Sequence, residues 1–339
     1  MTEAAVLPFD VDKLGAWLAR QGLAAGPLTI TPIGEGHSNL TYLVSDGAGR
    51  LVLRRPPPPP IPPGANDVLR ETRFLLAAAG TGVPVPEVLV VAEAGEVMDV
   101  PCYAMAHLEG DVCTTDLPGA IDTPAEHRRI AHALVDVLAA LQAIDWQAAG
   151  LGDIARPDGF LERQLERLPR LIADEDGKVP AGFGTLGDDL AATRPVSGPP
   201  AIVHGDLRLG NVMLSRTAPA RILGVLDWEL AGIGDPLTDL GYLLAAYAVP
   251  GEAPHALTEM SAATLGPGFP TRAELAARYA AATGRDVSRI GWYQAFALWK
   301  LAVLFEYSHR RYAGSGGDPY WENPTLARGL LEAARATRR

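Results

Sequence analysis

The chain has 339 residues, 48% of them hydrophobic and 20% charged, enough to bury a sizeable core and more than one small domain holds comfortably, so two lobes are expected. Its net charge of −11 argues against a nucleic-acid binder or an anionic-membrane binder, since either needs a basic face to replace counterions. Cys102 and Cys113 are too few for a disulfide framework or a thiolate zinc cage. The opening MTEAAVLPFDVDK shows no signal pattern, and apolar runs such as LGYLLAAYAV stop short of the roughly 20 residues of a bilayer span. A soluble, cytoplasmic protein is expected.

Leu14, Trp17 and Leu18 recur at helical spacing and predict a short amphipathic helix over 11–23. Three β-prone segments follow at 28–33, 40–45 and 50–54, the last two joined by the hairpin turn Asp46-Gly47-Ala48-Gly49. The proline run at 56–64 reads as a stiff connector in polyproline II geometry. A helix over 66–79 and two further strands, in VPVPEVLVVAE and PCYAMAHLEG, complete a five-stranded sheet with one inserted helix in the first 108 residues.

From Asp111 the pattern turns helical. Thr123-Pro124-Ala125-Glu126 reads as a capping box with Pro at the first helical position, and Thr271 with Glu274 as another, closed by Gly284. Further helices are expected near 160–173, 236–248, 288–311 and 324–337, with Asp235-Pro236 as N-cap and first residue of the second of these. AIVHGDLRLGNVML and RILGVLDWEL are short strands and loops among them. The acids of this half, Glu175, Asp176, Asp188, Asp189, Glu252, Glu259 and Glu306 among them, read as solvation of helices. A β-rich lobe thus precedes a helical one, joined near 106–111; ligands commonly sit in clefts between such units.

The chemistry concentrates in HGDLRLGNVML. Asp206 and Asn211 have the D-x-x-x-x-N spacing of a kinase catalytic loop, and Asp227 ends the apolar strand ILGVLD. Phosphoryl transfer needs an acceptor for a hydroxyl proton and hard oxygen ligands for Mg²⁺; these residues offer both. Each alone is an ordinary loop residue, His204 as a packed ring and Asp206 as an Asx turn. Together, between three apolar strands, they read as a site.

On these residues the chain resembles the aminoglycoside phosphotransferase family, relatives of protein and choline kinases, which carry H-G-D-x-x-x-x-N, then I-D-W/F/Y-E-x-A and G-D-P-x-x-D-L. Here they stand as His204 to Asn211, Leu226 to Ala231 and Gly234 to Leu240. The resemblance implies an α+β, protein-kinase-like two-lobed fold: residues 1–108 a nucleotide-binding lobe with a five-stranded antiparallel sheet and one helix, residues 109–339 a mainly helical lobe for catalysis and substrate. It implies ATP, or GTP, with Mg²⁺, and a small hydroxylated substrate. By position, Asp206 is the base, Asn211 and Asp227 are the metal ligands, and His204 supports the loop; Asp235 and Asp239 read as structural.

In the first lobe the resemblance places Gly34, Gly36 and Ser38 near the ATP phosphates, though Gly34-Glu35-Gly36-His37-Ser38-Asn39 alone needs no ligand, and no P-loop sequence occurs. None of the three lysines, Lys13, Lys178 and Lys300, lies on the strand that normally carries one; VLRRPP puts Arg54 there, with Glu71 as its helix partner. A guanidinium binds phosphate and carboxylate through a planar fork. The Ala106 carbonyl and Leu108 amide match the adenine-binding positions, with Met105 lining the pocket. Arg208, two residues past the base, replaces the His-Pro of the commonest antibiotic kinases and matches the catalytic-loop lysine of protein kinases, where it would neutralise the γ-phosphoryl group. H-G-D-x-R-L-G-N, LRRPPP and FEYSHRRYAGSG resemble the branch that includes kinase domains fused to acyl-CoA dehydrogenases. A small-molecule kinase is the expectation. A nucleotide-binding pseudokinase acting through partners and a metal-dependent hydrolase on His204, Asp206 and Asp227 are the alternatives.

Overall fold

The computed structural model describes residues 7–34, 39–61, 66–312 and 323–337. The chain forms two compact units, Met1–Gly80 with Pro84–Glu109, and Thr81–Val83 with Gly110–Arg339.

The first unit is an antiparallel five-stranded sheet in the order β1-β2-β3-β5-β4, from β1 (Thr29–Pro32), β2 (Leu40–Ser45), β3 (Arg50–Arg55), β4 (Val88–Ala92) and β5 (Cys102–Ala106). Helix α1 (Val11–Arg20), capped by Asp10, buries Leu14, Trp17 and Leu18 in one cluster with Tyr42, Val44, Leu51 and Leu53. Side chains alternate across a strand, so β3 turns Leu51 and Leu53 to that cluster and Val52 and Arg54 to the other face. Helix α2 (Val68–Ala78), capped by Asp67, buries Glu71, Thr72, Phe74 and Leu75. An α+β architecture with this sheet was the expectation, and it holds.

The second unit carries short strands among helices. β7 (Ala201–Val203) pairs with β10 (Gly232–Gly234); β8 (Val212–Leu214) lies between β6 (Asp111–Val112) and β9 (Ile222–Val225). Around them stand α3 (Pro124–Gln142), α4 (Phe160–Arg170), α5 (Ala181–Ala192), α6 (Leu237–Ala246), α7 (Ala256–Glu259), α8 (Arg272–Thr283), α9 (Ile290–Tyr312) and α10 (Thr325–Thr337). Their core gathers Leu161, Leu165, Leu190, Trp292, Phe296, Trp299 and Leu330. Among the described residues no helix is long and apolar enough to cross a membrane.

Three local expectations are corrected. At α3 only half of the capping box forms: Thr123 accepts from the Glu126 amide at 3.4 Å, while the Glu126 carboxylate takes the distant Ala220 amide at 2.7 Å. The box at α8 is complete, and Gly284 closes that helix at φ 70°. Pro236 occupies the cap of α6 and Asp235 stands one place before it, accepting from the Leu237 amide at 3.0 Å. Helix α5 was not foreseen, because AGFGTLGDDLAA holds three glycines and lacks a capping residue.

Where α6 meets α9, a Cβ on Gly241 would lie 2.6 Å from the Tyr293 backbone carbon. Gly241→Ala gains about 1 kcal/mol of helix propensity, while a clash with helix backbone costs about 1–3 kcal/mol and belongs at the upper end. The expected outcome is a net loss of about 1–2 kcal/mol in urea unfolding; a stabilised variant would mean that the helices separate without cost.

Candidate active site

In the second unit the site is built on the chain between β7 and β9. Past Val203 the backbone must turn sharply: Gly205 has φ 84°, and a Cβ there would meet the Leu230 carbonyl oxygen at 2.7 Å, so only glycine fits. The turn sends two successive amides inward, and one buried carboxylate receives both. Asp239 of α6, 1% exposed, accepts from His204 N at 2.6 Å and Gly205 N at 2.8 Å. Burial raises its pKa above the ordinary carboxylate value, against the two amide bonds that favour the charged form. His204 is fully buried, lies edge-on to Trp228, faces the Leu226 carbonyl with Nε2 at 3.0 Å, and takes the Asp206 amide on Nδ1 at 3.3 Å. One ring nitrogen on a carbonyl and the other on an N–H call for the neutral Nε2–H tautomer.

Asp206 is thereby placed. Asn211 Nδ2 donates to its Oδ2 and to its backbone oxygen, both at 2.8 Å, which orients the Asn211 carbonyl oxygen as an acceptor. The other carboxylate oxygen, Oδ1, is buried without a hydrogen-bond partner and faces Arg208 Nε, equally buried and bare of one, at 3.5 Å. Arg208 folds back over its own loop: Nη1 donates to the Met260 carbonyl at 3.2 Å, and Gly210 has no room for a Cβ beneath the guanidinium. The side chain is 14% exposed. The Tyr242 hydroxyl of α6 is pushed well above its ordinary value by burial, then by the charge of Asp206.

Asn211 and Asp227 spring from adjacent strand ends. Leu226 N donates to Asn211 O at 2.9 Å, one step beyond the Val212–Val225 pair, and Asp227 follows in the left-handed region at φ 65°. An amide oxygen and a carboxylate are the hard donors that Mg²⁺ takes, so the pair fits that ion chemically. Among the described residues no three of His, Cys, Asp and Glu gather as a metal cluster. Cys102 and Cys113 are both pushed up to about 11 by burial, so neither is a thiolate nucleophile at neutral pH.

In the first unit Arg54 and Glu71 do meet. Arg54 Nε donates to the Glu71 carboxylate at 2.9 Å and Nη1 to Thr41 Oγ1 at 3.1 Å; Asn39 Nδ2 adds a bond to Glu71 at 3.4 Å. Arg54 is 13% and Glu71 1% exposed at the side chain. Met105 and Ala106 end β5, paired with Val52 and Leu51, and are half-buried like Leu108. Gly34 is exposed at φ 81°; Gly36 and Ser38 lie outside the described residues. Tyr242 was not singled out from the sequence, and Lys300 entered only as one of three lysines. Lys300 carried a signal: a lone lysine inside the apolar run AFALWKLAVLF.

Residues 29–287 match the model of a family described as the phosphotransferase enzyme family, APH. Acyl-CoA dehydrogenase family member 11 of Rattus norvegicus is 30% identical over 320 residues, which are 91% of this chain and 40% of that protein; the chain thus spans less than half of its relative. A crystal structure from Ralstonia eutropha, provisionally named an aminoglycoside phosphotransferase, is 29% identical with a TM-score of 0.75, covering 97% of this chain and 99% of that one. The aminoglycoside phosphotransferase APH(4)-Ia, solved with ADP and hygromycin B, shares the fold at 15% identity and a TM-score of 0.59, covering 95% of this chain and 97% of that one.

Removing one partner of a buried ion pair strands the other. Glu71→Ala is expected to cost about 3 kcal/mol in urea unfolding, with Arg54→Met/Glu71→Leu recovering most of it. A single-variant loss under about 0.5 kcal/mol, the size of a surface pair, would show that the contact holds nothing.

Proposed function

The chain belongs to the phosphotransferase enzyme family, and on that premise we propose that it transfers the γ-phosphoryl group of ATP, or of GTP, to a hydroxyl of a small molecule. The observation that carries the reading is the Asp206 carboxylate, fixed through Oδ2 by Asn211, flanked by Arg208 and borne on a loop whose amides Asp239 holds. Asp206 takes the proton of the acceptor hydroxyl as its oxygen attacks the γ-phosphorus. The new O–P bond forms while the bond to the β-phosphate oxygen breaks, and the nucleoside diphosphate leaves. Asn211 and Asp227 would hold Mg²⁺, whose charge counters that of the phosphates. Arg208 stands beside the base as a fixed positive charge that offsets the negative charge of the transferring group without moving. In the first unit Arg54, oriented by Glu71, would bind the α and β phosphates, with Gly34, Gly36 and Ser38 near them; Met105, the Ala106 carbonyl and the Leu108 amide would take the base of the nucleotide.

The acceptor belongs to the second unit. The acyl-CoA dehydrogenase name of the relative favours a hydroxyacyl thioester first, ahead of aminoglycosides, macrolides, choline-like alcohols and amino-acid alcohols. A cation against the base is a poor neighbour for a polycationic antibiotic. The acids listed for the helical half support the same view: Glu175, Asp176, Asp188, Asp189, Glu252 and Glu259 are exposed rather than gathered into a pocket.

ADP release screened over these acceptor classes with Mg²⁺ should find one that turns over, and Asp206→Asn should lower kcat by about 10²–10⁴, the usual contribution of a general base. Arg54→Ala should raise the KM for ATP about tenfold, one lost charge-assisted contact. Nucleotide-dependent thermal stabilisation with no turnover on any acceptor would favour the pseudokinase, and hydrolysis without nucleotide the hydrolase.

A further inference from the structure

The loop that bears Asp206 holds two glycines, and they are glycine for different reasons. Gly205 has φ 84° and would meet backbone, the Leu230 carbonyl oxygen at 2.7 Å, so the turn itself fixes its identity. Gly210 lies in the short 3-10 turn Leu209–Asn211 and is not among the glycines with positive φ. Its backbone conformation does not call for glycine. A Cβ at 210 would stand 2.1 Å from Arg208 Nη1 and 3.2 Å from Arg208 Cζ, with the Thr114 methyl carbon at 3.1 Å. The guanidinium of Arg208 occupies the space that a side chain at 210 would take.

Arg208 needs such a seat. Its Nη1 donates to the Met260 carbonyl at 3.2 Å, and its Nε, buried without a hydrogen-bond partner, faces Asp206 Oδ1 at 3.5 Å, an ion-pair separation rather than a hydrogen bond. A long side chain gives up much rotamer freedom to hold one pose, and a single hydrogen bond is a weak counterweight. Shape supplies the rest. Bare backbone at 210 lies against the guanidinium, and Thr114 stands beside it, tied to the segment after Met260 because its carbonyl accepts from Ala263 N at 2.9 Å. With a methyl at 210, Nη1 must retreat by more than about 1 Å to regain ordinary contact, and Nη1 is the atom bonded to Met260. The obstacle is the far end of a flexible side chain, so the fold tolerates the change. The loop is held through other atoms, by Asn211 on Asp206 and by Asp239 on the amides of His204 and Gly205.

We propose that Gly210 is a positioning residue: its bare backbone is the seat that fixes the Arg208 guanidinium beside Asp206, so that a side chain at 210 displaces the cation while the loop and the base stay in place. The kinetic consequence rests on the phosphotransferase reading; the seat does not.

Hydrogen exchange at the Arg208 Nε–H, followed by ¹⁵N resonance in the full chain without nucleotide and identified by its loss in Arg208→Lys, tests the seat directly. Gly210→Ala should quicken that exchange at least tenfold and leave the protection of the His204 and Gly205 amides within twofold. Unchanged exchange overturns the proposal, and so does lost protection at those amides, because the loop and not the cation would then have moved. Wild-type protein supplies a measurement that needs no folded variant: its Arg208 Nε–H should exchange at least tenfold more slowly than that of Arg20, which is exposed on α1, and equal rates also overturn the proposal. With an active acceptor, Gly210→Ala should lower kcat at least tenfold with the KM for ATP within twofold. In an Arg208→Ala chain, where no guanidinium is left to displace, the same substitution should change kcat by less than twofold. Equal losses in the two backgrounds would show that the methyl harms the loop by itself, and they overturn the proposal. If wild type phosphorylates nothing, the phosphotransferase reading fails while the exchange data still decide the seat.

Discussion

The second unit is organised around two hydrogen bonds, from the amides of His204 and Gly205 to the single carboxylate of Asp239. A sharp turn after a buried strand leaves its amides inside the protein, where water cannot serve them, and each such donor costs free energy if left alone. One carboxylate with two oxygens meets both. The position of the loop is thereby tied to α6, and that of α6 to α9 through Gly241, Tyr293 and Asp235. Helix packing, rather than the loop's own sequence, sets where Asp206 stands.

The legible part of this arrangement was the part that local chemistry dictates. Strand-prone residues on either side of the turn Asp46-Gly47-Ala48-Gly49 placed β2 and β3, spacing placed α1, and the box Thr271–Glu274 with Gly284 placed α8 at both ends. The interval from Asp206 to Asn211 marked the site because both residues serve one backbone turn, and the bond between them spans only five residues. What stayed hidden depends on partners distant in sequence. Glu126 leaves its own cap for the amide of Ala220, and Arg208 leans on the carbonyl of Met260. Asp239 could be read as structural, but not that its partners are the amides 34 and 35 residues before it. Helix α5 carries weak propensity and no cap; its buried Leu186 and Leu190 hold it in the helical core, an instance of tertiary packing overriding local preference.

The scarcity of lysine has a physical sense at both arginines. A lysine is a point charge on a flexible stem; a guanidinium is a rigid plane with five donors. Arg54 uses Nε for Glu71 and Nη1 for Thr41, so its plane is fixed by two neighbours, as the proposed phosphate contact would need. Such preorganisation lowers the ordering cost of binding. A lysine with one carboxylate partner would keep more rotational freedom.

Arg208 shows the other side of that rigidity. Its guanidinium is held by the Met260 carbonyl and pressed over Gly210, and it faces the buried oxygen of the base at 3.5 Å. On the proposed reading, a fixed cation beside Asp206 would stabilise negative charge at the transferring phosphoryl without reorganisation. In a loose phosphoryl-transfer transition state bonding to the acceptor oxygen is slight and its proton becomes acidic only late. Under that reading a well-placed carboxylate suffices, and what the site requires of the fold is that Asp206 be held still. That requirement returns to the clamp beneath the loop, where the geometry of one buried carboxylate decides the position of the other.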